Sequence, residues 1–186
     1  MAELKNLGLI GIKSHDNRYL QAHTDGEMHA GNPKRNEEET WFLWEVDAAS
    51  DTYAIQNWRT GTFLRTMGNG CTRSDLPAVT SASQWVFEKG ATRGILNGVA
   101  LKNIATGCYL EANSAGENVD PCGGEVACGR PFPPNTNEPT ATGWWYPEAA
   151  TPPSEGKNIW NTVGGFFLGV ATNLAPAAIG KLLGIK

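Results

Sequence analysis

Polar side chains and one aromatic ring stand together at predicted turns, where they could contact a bound molecule. Saccharide recognition needs such groups, because polar side chains fix the hydroxyls and a flat aromatic face packs on the C–H side of the ring. We predict ligand binding from seven residues: His15, Asp16, Asn17, Asn57, Trp58, Arg59 and Asn103. An alternative stays open, in which the two turn asparagines close their turns and the tryptophan packs against a neighbouring unit.

The sequence offers no arrangement of residues that predicts catalysis. No serine–histidine–aspartate, cysteine–histidine or paired-carboxylate set has a suitable spacing, and no glycine-rich phosphate loop follows a predicted strand. The four cysteines include no C-x-x-C pair, and the three histidines lie far from them in sequence. We therefore predict a protein that is not an enzyme and holds neither a metal nor a cofactor.

Two local segments have simple interpretations. Cys122 and Cys128 flank the stretch GGEVA, so they either form a disulfide or remain free thiols in a flexible loop. The acidic run Glu37–Glu39 follows Lys34 and Arg35, and a charge run of this kind predicts a solvated loop.

Composition narrows the classes of protein. The chain has 186 residues, with 15 basic against 19 acidic side chains, and this net charge of −4 argues against binding to nucleic acid phosphates. Apolar residues make up 40%, enough for a core, while 22 glycines and 11 prolines favour a turn-rich all-β protein over a helix bundle. The first residues lack a basic region followed by a long apolar run, so we expect cytoplasmic synthesis, with action at a membrane after release.

Aromatic–leucine pairs recur along the chain at nearly constant spacing. They begin at Tyr19, Phe63 and Tyr109, which stand 44 and 46 residues apart. A tryptophan follows the first two after 22 residues and the third after 35, at Trp41, Trp85 and Trp144. One such unit cannot bury its hydrophobic edge alone, so we expect three units to share one core. The predicted core comprises Ile12, Leu20, Trp41, Leu43, Ile55, Leu64, Trp85, Phe87, Leu101, Leu110, Trp144 and Tyr146.

Three such units, each of short strands ending near a tryptophan, resemble the β-trefoil over residues 5–149. The resemblance implies an all-β fold, a single β-trefoil of three pseudo-repeats. IKSHDNRYLQAHTDGEMHA with ETWFLWE resembles the fascin-like actin-bundling repeats, whereas YAIQNWRTGTFLRT, and LKNIATGCYLEAN followed by SQWVFE, look more like ricin-B-type lectin repeats. Lectin repeats of that type carry Asp where this sequence has Gln21, Arg65 and Glu111, and Q-x-W where it has Gln84-Trp85.

The C-terminal part differs in character from the repeats. Residues 150–158 are rich in proline and predict a linker, and the chain carries no charge from Asn158 to Gly180. Apolar residues there recur at steps of three and four, which predicts an apolar helical tail over 159–186, and Gly165 and Gly169 have the spacing of membrane-helix contacts. The predicted membrane or oligomer face comprises Trp160, Val163, Phe166, Phe167, Val170 and Leu174. Packing on the trefoil itself and a disordered tail are the alternatives.

Together these features predict a lectin-like protein that binds a glycan or another cell-surface ligand. Its tail would insert into a membrane or assemble a homo-oligomer, as in a pore-forming or cytolytic toxin. Two alternatives remain: a cytosolic fascin-like actin-binding module, and a protease inhibitor that acts through the 122–139 loop.

Overall fold

The computed structural model describes residues 4–89, 98–112, 126–129, 143–153 and residue 180. Its strands fall into three units of four. Unit one holds β1 (Lys5–Ser14), β2 (Tyr19–Ala22), β3 (Met28–Asn32) and β4 (Trp41–Asp47). Unit two holds β5 (Thr52–Asn57), β6 (Phe63–Thr66), β7 (Thr72–Leu76) and β8 (Trp85–Lys89), with a 3₁₀ turn at Ser81–Ser83. Unit three holds β9 (Val99–Asn103), β10 (Tyr109–Ala112), β11 (Val126–Gly129) and β12 (Trp144–Ala149).

Six of these strands close into a barrel. Antiparallel pairing runs β1–β4–β5–β8–β9–β12 and returns from β12 to β1. The hairpins β2–β3, β6–β7 and β10–β11 lie against one another and branch from the first strand of each unit. Closure leaves the barrel without exposed edges, which is how this kind of sheet avoids pairing with other chains.

The same turn separates the first two strands of every unit. Two residues before each repeated aromatic, the backbone takes a positive φ: 61° at Asn17, 70° at Gly61 and 71° at Gly107. Glycine enters this region without a steric cost, and asparagine is among the few other residues that tolerate it. A residue that tolerates a positive φ therefore stands at the same place in each of the three turns.

Three tryptophans hold the core together. Trp41, Trp85 and Trp145 are fully buried. Each indole Nε1–H donates to a backbone carbonyl 21 to 35 residues earlier in the chain, that of Leu20 at 2.9 Å, Leu64 at 3.1 Å and Leu110 at 2.8 Å. These carbonyls belong to the second strand of each unit, so every bond ties the last strand of its unit to the hairpin.

The third anchor is Trp145, and the prediction of Trp144 and Tyr146 as core residues was wrong. Both of those side chains are only half-buried, whereas Trp145 between them is fully buried. Successive side chains of a strand point to opposite faces, so a shift of one residue exchanges the buried set for the exposed one. Of the predicted core residues, the other ten are buried as expected.

For Cys128, neither alternative from the sequence holds, since it is neither bonded to Cys122 nor a free thiol. Cys128 is bonded to Cys108, not to Cys122, and Cys71 is disulfide-bonded as well. The reason is the β10–β11 hairpin, which pairs Leu110 with Cys128 and brings Cys108 within a Cα–Cα distance of 5.5 Å. Pairing across a hairpin, rather than closeness in sequence, decides which thiols meet.

The structure does not support the predicted C-terminal helix, because residues 154–186 lie outside the described ones, Gly180 apart. The same holds for the 122–139 loop except at 126–129. Over the described part of the chain, no helix has both the length and the apolar character needed to cross a bilayer.

Replacing Trp85 by phenylalanine tests the indole bonds. The variant keeps a ring in the core but leaves the buried Leu64 carbonyl without its donor, so we expect the free energy of unfolding in urea to fall by about 1–3 kcal/mol. Trp44→Phe is the matched control, because Trp44 donates to the Gln56 side chain from a half-buried position and should lose less. Equal losses in the two variants would contradict the role given to the core bonds.

Candidate functional site

Asn57 and Asn103, two of the predicted ligand residues, are fully buried. The Oδ1 atom of Asn57 accepts the backbone N–H groups two and three residues ahead, at 3.0 and 3.1 Å, and Nδ2 donates to the Glu38 carbonyl at 2.8 Å. Asn103 repeats the arrangement at 3.1, 3.2 and 2.8 Å, with Ala82 as the carbonyl acceptor. Each asparagine closes its turn and ties its unit to the preceding one, so neither enters the candidate site.

Trp58 packs on the outside of the barrel and is 8% exposed. Its ring centroid lies 5.0 Å from that of Phe42, and Leu9 completes the cluster. A platform for a sugar ring needs one open face. The geometry therefore favours the alternative in which Trp58 packs against a neighbouring unit.

The turn of unit one carries His15, Asp16 and Asn17 on the surface. Asp16 accepts from Arg18 Nη2 at 3.2 Å and lies 2.9 Å from His15 Nε2. The turn therefore satisfies part of its own hydrogen-bonding capacity. These three residues do not line the cleft described next, and their predicted ligand-binding role stays a prediction.

A polar cleft of about 550 Å³ is lined mainly by residues of unit one, and we call it the cleft of unit one. It lies beside the loop of residues 33–40, which joins β3 to β4. Of the seven predicted ligand residues, the structure places Arg59 in it. The cleft is lined by Gln21, Asn32, Arg35, Asn36, Glu37, Glu38, Glu39, Arg59 and Pro153.

The 33–40 loop is held in place by a buried carboxylate. Glu39 is 1% exposed, and its two oxygens accept from Asn32 Nδ2 at 3.2 Å and from the Asn36 backbone N–H at 2.8 Å. Arg35 adds a second support, because its Nη1 donates to Thr40 Oγ1 at 3.1 Å and to the Thr151 carbonyl at 3.0 Å. A loop fixed in this way loses little conformational entropy when a ligand binds.

Glu38 joins three segments of the chain at the floor of the cleft. Its carboxylate accepts from Gln21 Nε2 at 2.7 Å and pairs with the Arg59 guanidinium. Gln21 comes from β2 and Arg59 from the turn after β5, so the site exists only when units one and two are assembled.

Three polar groups of the cleft remain available to a ligand. Across the described residues, no hydrogen bond engages Gln21 Oε1, the Asn36 side-chain amide or the Glu37 carboxylate, while the carboxylates of Glu38 and Glu39 are both occupied. Two acceptors and an amide can bind hydroxyl groups, which both donate and accept. The described part of the lining carries three carboxylates against two guanidinium groups and is therefore slightly anionic.

In unit two, the side chain at the position equivalent to Gln21 is already engaged in hydrogen bonds. Its counterpart Arg65, also on the second strand, binds Asp75 with two hydrogen bonds, Nε at 2.5 Å and Nη2 at 2.8 Å. This pairing holds the pKa of Asp75 below its ordinary value of 3.8, chiefly through the hydrogen bond from Arg65. The repeats therefore share a backbone but present different chemistry at this position.

The prediction that Glu37–Glu39 form a solvated loop was wrong. Glu39 is buried, and both Glu37 and Glu38 are half-buried along the cleft. A run of charges gives no sign of this by itself, because the buried carboxylate is stabilised by Asn32 and by a backbone N–H that only the folded loop supplies. Within the ranges that the structure describes, no group of three or more potential ligand side chains could hold a metal ion.

Comparisons with known proteins agree with this architecture. The fascin domain family matches residues 3–87, which span units one and two. The fascin resemblance thus extends beyond unit one into unit two. A sequence comparison with curated proteins finds no match.

Solved structures show the fold over most of the chain. The structure of SeviL bound to asialo-GM1 saccharide has a TM-score of 0.55 at 16% identity and covers 77% of this chain and 98% of that one. The BEL beta-trefoil in an apo crystal form has a TM-score of 0.58 at 12% identity and covers 77% of this chain and 93% of that one. With three four-stranded units around a closed barrel, the chain is a β-trefoil protein, similar over its first two units to a fascin domain.

Proposed function

We propose that the protein is a non-enzymatic, lectin-like protein that binds neutral glycans in the cleft of unit one. The observation that carries this proposal is the fixed 33–40 loop, which presents the Asn36 amide and the Glu37 carboxylate to one polar cleft, beside Gln21 Oε1 from β2. Hydroxyl groups of a saccharide suit these partners, and no desolvated charge on the ligand is required.

The charge of the lining favours uncharged sugars. Glu37 faces the cleft without a hydrogen-bonding partner among the described residues, so a carboxylate or sulfate on the ligand would meet a like charge. The neighbour SeviL was solved with asialo-GM1 saccharide, which supports a saccharide as the class of ligand. Among the described residues that line the cleft there is no aromatic side chain, so polar contacts rather than ring stacking would supply most of the specificity.

The cleft does not suit a reaction that needs a pair of carboxyl groups. In such a pair, both groups must be free to exchange a proton with the substrate or with water. Glu38 and Glu39 are both engaged by donors of the fold, which leaves Glu37 without a second carboxylate to work with.

Asn36→Ala tests the site in the full chain. The amide supports no other residue with its side chain, so the variant should fold normally but bind a glycan identified on an array about tenfold more weakly, as expected for one lost hydrogen bond. Lys34→Ala, in the same loop but outside the cleft lining, is the matched control and should bind like the wild type. If no glycan binds the wild-type protein, the proposal fails.

Actin binding is the second candidate function, because the fascin domain family matches residues 3–87. In that case the protein should sediment with actin filaments, whichever glycan is added. Bundling by one trefoil would also require a second filament contact, which a dimer could provide. Co-sedimentation of the full chain decides the matter, and absence of the protein from the filament pellet would exclude this function.

We also propose that the apolar tail acts on a membrane or in self-assembly once the head has bound its ligand. The full chain should then release a self-quenching dye from phosphatidylcholine vesicles that carry the bound glycan as a glycolipid. Phe167→Asp places a charge on the predicted apolar face and should reduce the leakage, since a charged side chain is costly in hydrocarbon. Asn161→Asp, away from that face, is the control. Equal leakage with Phe167→Asp and with the wild type would argue against the tail.

A further inference from the structure

One face of the barrel exterior is aromatic. Leu9 on β1, Phe42 and Trp44 on β4, and Trp58 after β5 form a cluster outside the main core, which we call the aromatic face. The Phe42 ring lies 6.0 Å from Trp44 and 5.0 Å from Trp58, both tilted. None of these four residues belongs to the core cluster within the barrel.

The other two faces of the barrel lack this cluster. Strand pairing identifies the equivalent positions, because β1–β4–β5, β5–β8–β9 and β9–β12–β1 are related by the pseudo-threefold axis. The second face carries Thr52, Val86, Glu88 and Ile104 at these positions, and the third carries Gly98, Tyr146, Glu148 and His15. The aromatic set is therefore an addition to one face, which the shared barrel does not need.

Burial separates the faces as well. Trp58 and Ile104 hold the same backbone position, since their N–H groups donate to the carbonyls of Thr40 at 2.9 Å and Gln84 at 3.0 Å. Ile104 is 46% exposed, whereas the larger Trp58 is 8% exposed and Phe42 is 6% exposed. A larger side chain at an equivalent surface position is expected to be more exposed unless something covers it. The aromatic face is thus more covered than the equivalent position of the second face.

The chain itself arrives at this face. β12 pairs with β1, and the Ala150 N–H donates to the Leu9 carbonyl at 2.9 Å, so Ala150 packs on the cluster. Arg35 then holds the Thr151 carbonyl at 3.0 Å, and Pro153 lies at the cleft beside Arg59, the neighbour of Trp58. The remaining 33 residues, 154–186, start from this point.

We propose that the aromatic face is the docking site of this protein's own apolar tail, with residues 159–175 as the occupant. Trp160 follows Ala150 by ten residues, a stretch that spans up to about 35 Å when extended and easily reaches the cluster. The tail carries no charge between Asn158 and Gly180, and its apolar residues repeat every three to four positions, so one side of it can pack against aromatic rings. Burial of these groups is favourable on both sides of the contact.

The docked tail defines a resting state. The same apolar residues cannot face a bilayer and the aromatic face at once, so a membrane or assembly function would require the tail to leave the head. This inference goes beyond the glycan site, because it does not depend on which ligand the cleft binds.

Photo-crosslinking in the full chain tests the docking. p-Benzoylphenylalanine placed at position 58 should crosslink on irradiation to the tryptic peptide Asn158–Lys181, whose ends follow from Lys157 and Lys181. The product should migrate as a single chain in a denaturing gel. The same probe at Ile104, the exposed equivalent position, is the matched control and should not label this peptide.

A second probe position guards against a folding defect. Trp44, which is only half-buried, can take the same probe, and crosslinking from it to Asn158–Lys181 supports the proposal equally. In a Phe166→Ser/Phe167→Ser chain, the yield from position 58 should fall to the level of the Ile104 control. Failure of both positions to label the peptide would overturn the proposal, and so would crosslinks that join two chains, which would assign the face to a second copy.

Discussion

The hydrogen bonds from three buried indoles to three leucine carbonyls are the constraint on which the rest of the molecule depends. Trp41, Trp85 and Trp145 each bind a carbonyl on the second strand of their own unit. Leaving a buried carbonyl without a donor lowers the stability of the folded state. A tryptophan can fill the core with its large ring and supply that donor through its indole N–H. The bonds therefore hold the hairpin of each unit against the last strand of that unit.

On this common frame, the outer positions vary from unit to unit. In units one and three, a lysine and a glutamate bracket a buried tyrosine: Lys13 and Glu148 at Tyr19, and Lys102 and Glu88 at Tyr109. Burial and the bond to Glu88 raise the pKa of Tyr109, so its hydroxyl remains a donor. Unit two has Gln56, Phe63 and Trp44 at these places, with the indole of Trp44 bonded to Gln56. The replacement of Glu by Trp at this position also contributes to the aromatic face.

The cleft and the aromatic face are joined through one loop. Arg35 donates to Thr40 within the 33–40 loop and to Thr151 at the start of the linker, so a displacement of either segment would act on the other. Glu38 extends the connection to Arg59, the residue next to Trp58. The linker therefore leaves the head between the proposed glycan site and the proposed docking site. Arg35 is thus a direct contact between the loop that lines the proposed glycan site and the start of the linker.

The sequence alone is enough to predict the threefold frame. Its turns, aromatic–leucine pairs and tryptophans are local patterns that recur at nearly constant spacing. Together they indicate where each short strand lies and which of its residues are buried. Local patterns did not predict the features that depend on contacts between residues distant in the chain. Trp145 rather than Trp144 is buried because pairing with β9 sets the register, and Cys128 meets Cys108 because a hairpin brings them together. The cleft could not be predicted from local patterns for the same reason. Gln21, Glu38 and Arg59 come from separate segments of the chain. Glu39 is stabilised by hydrogen-bond donors that are in place only after the loop has folded.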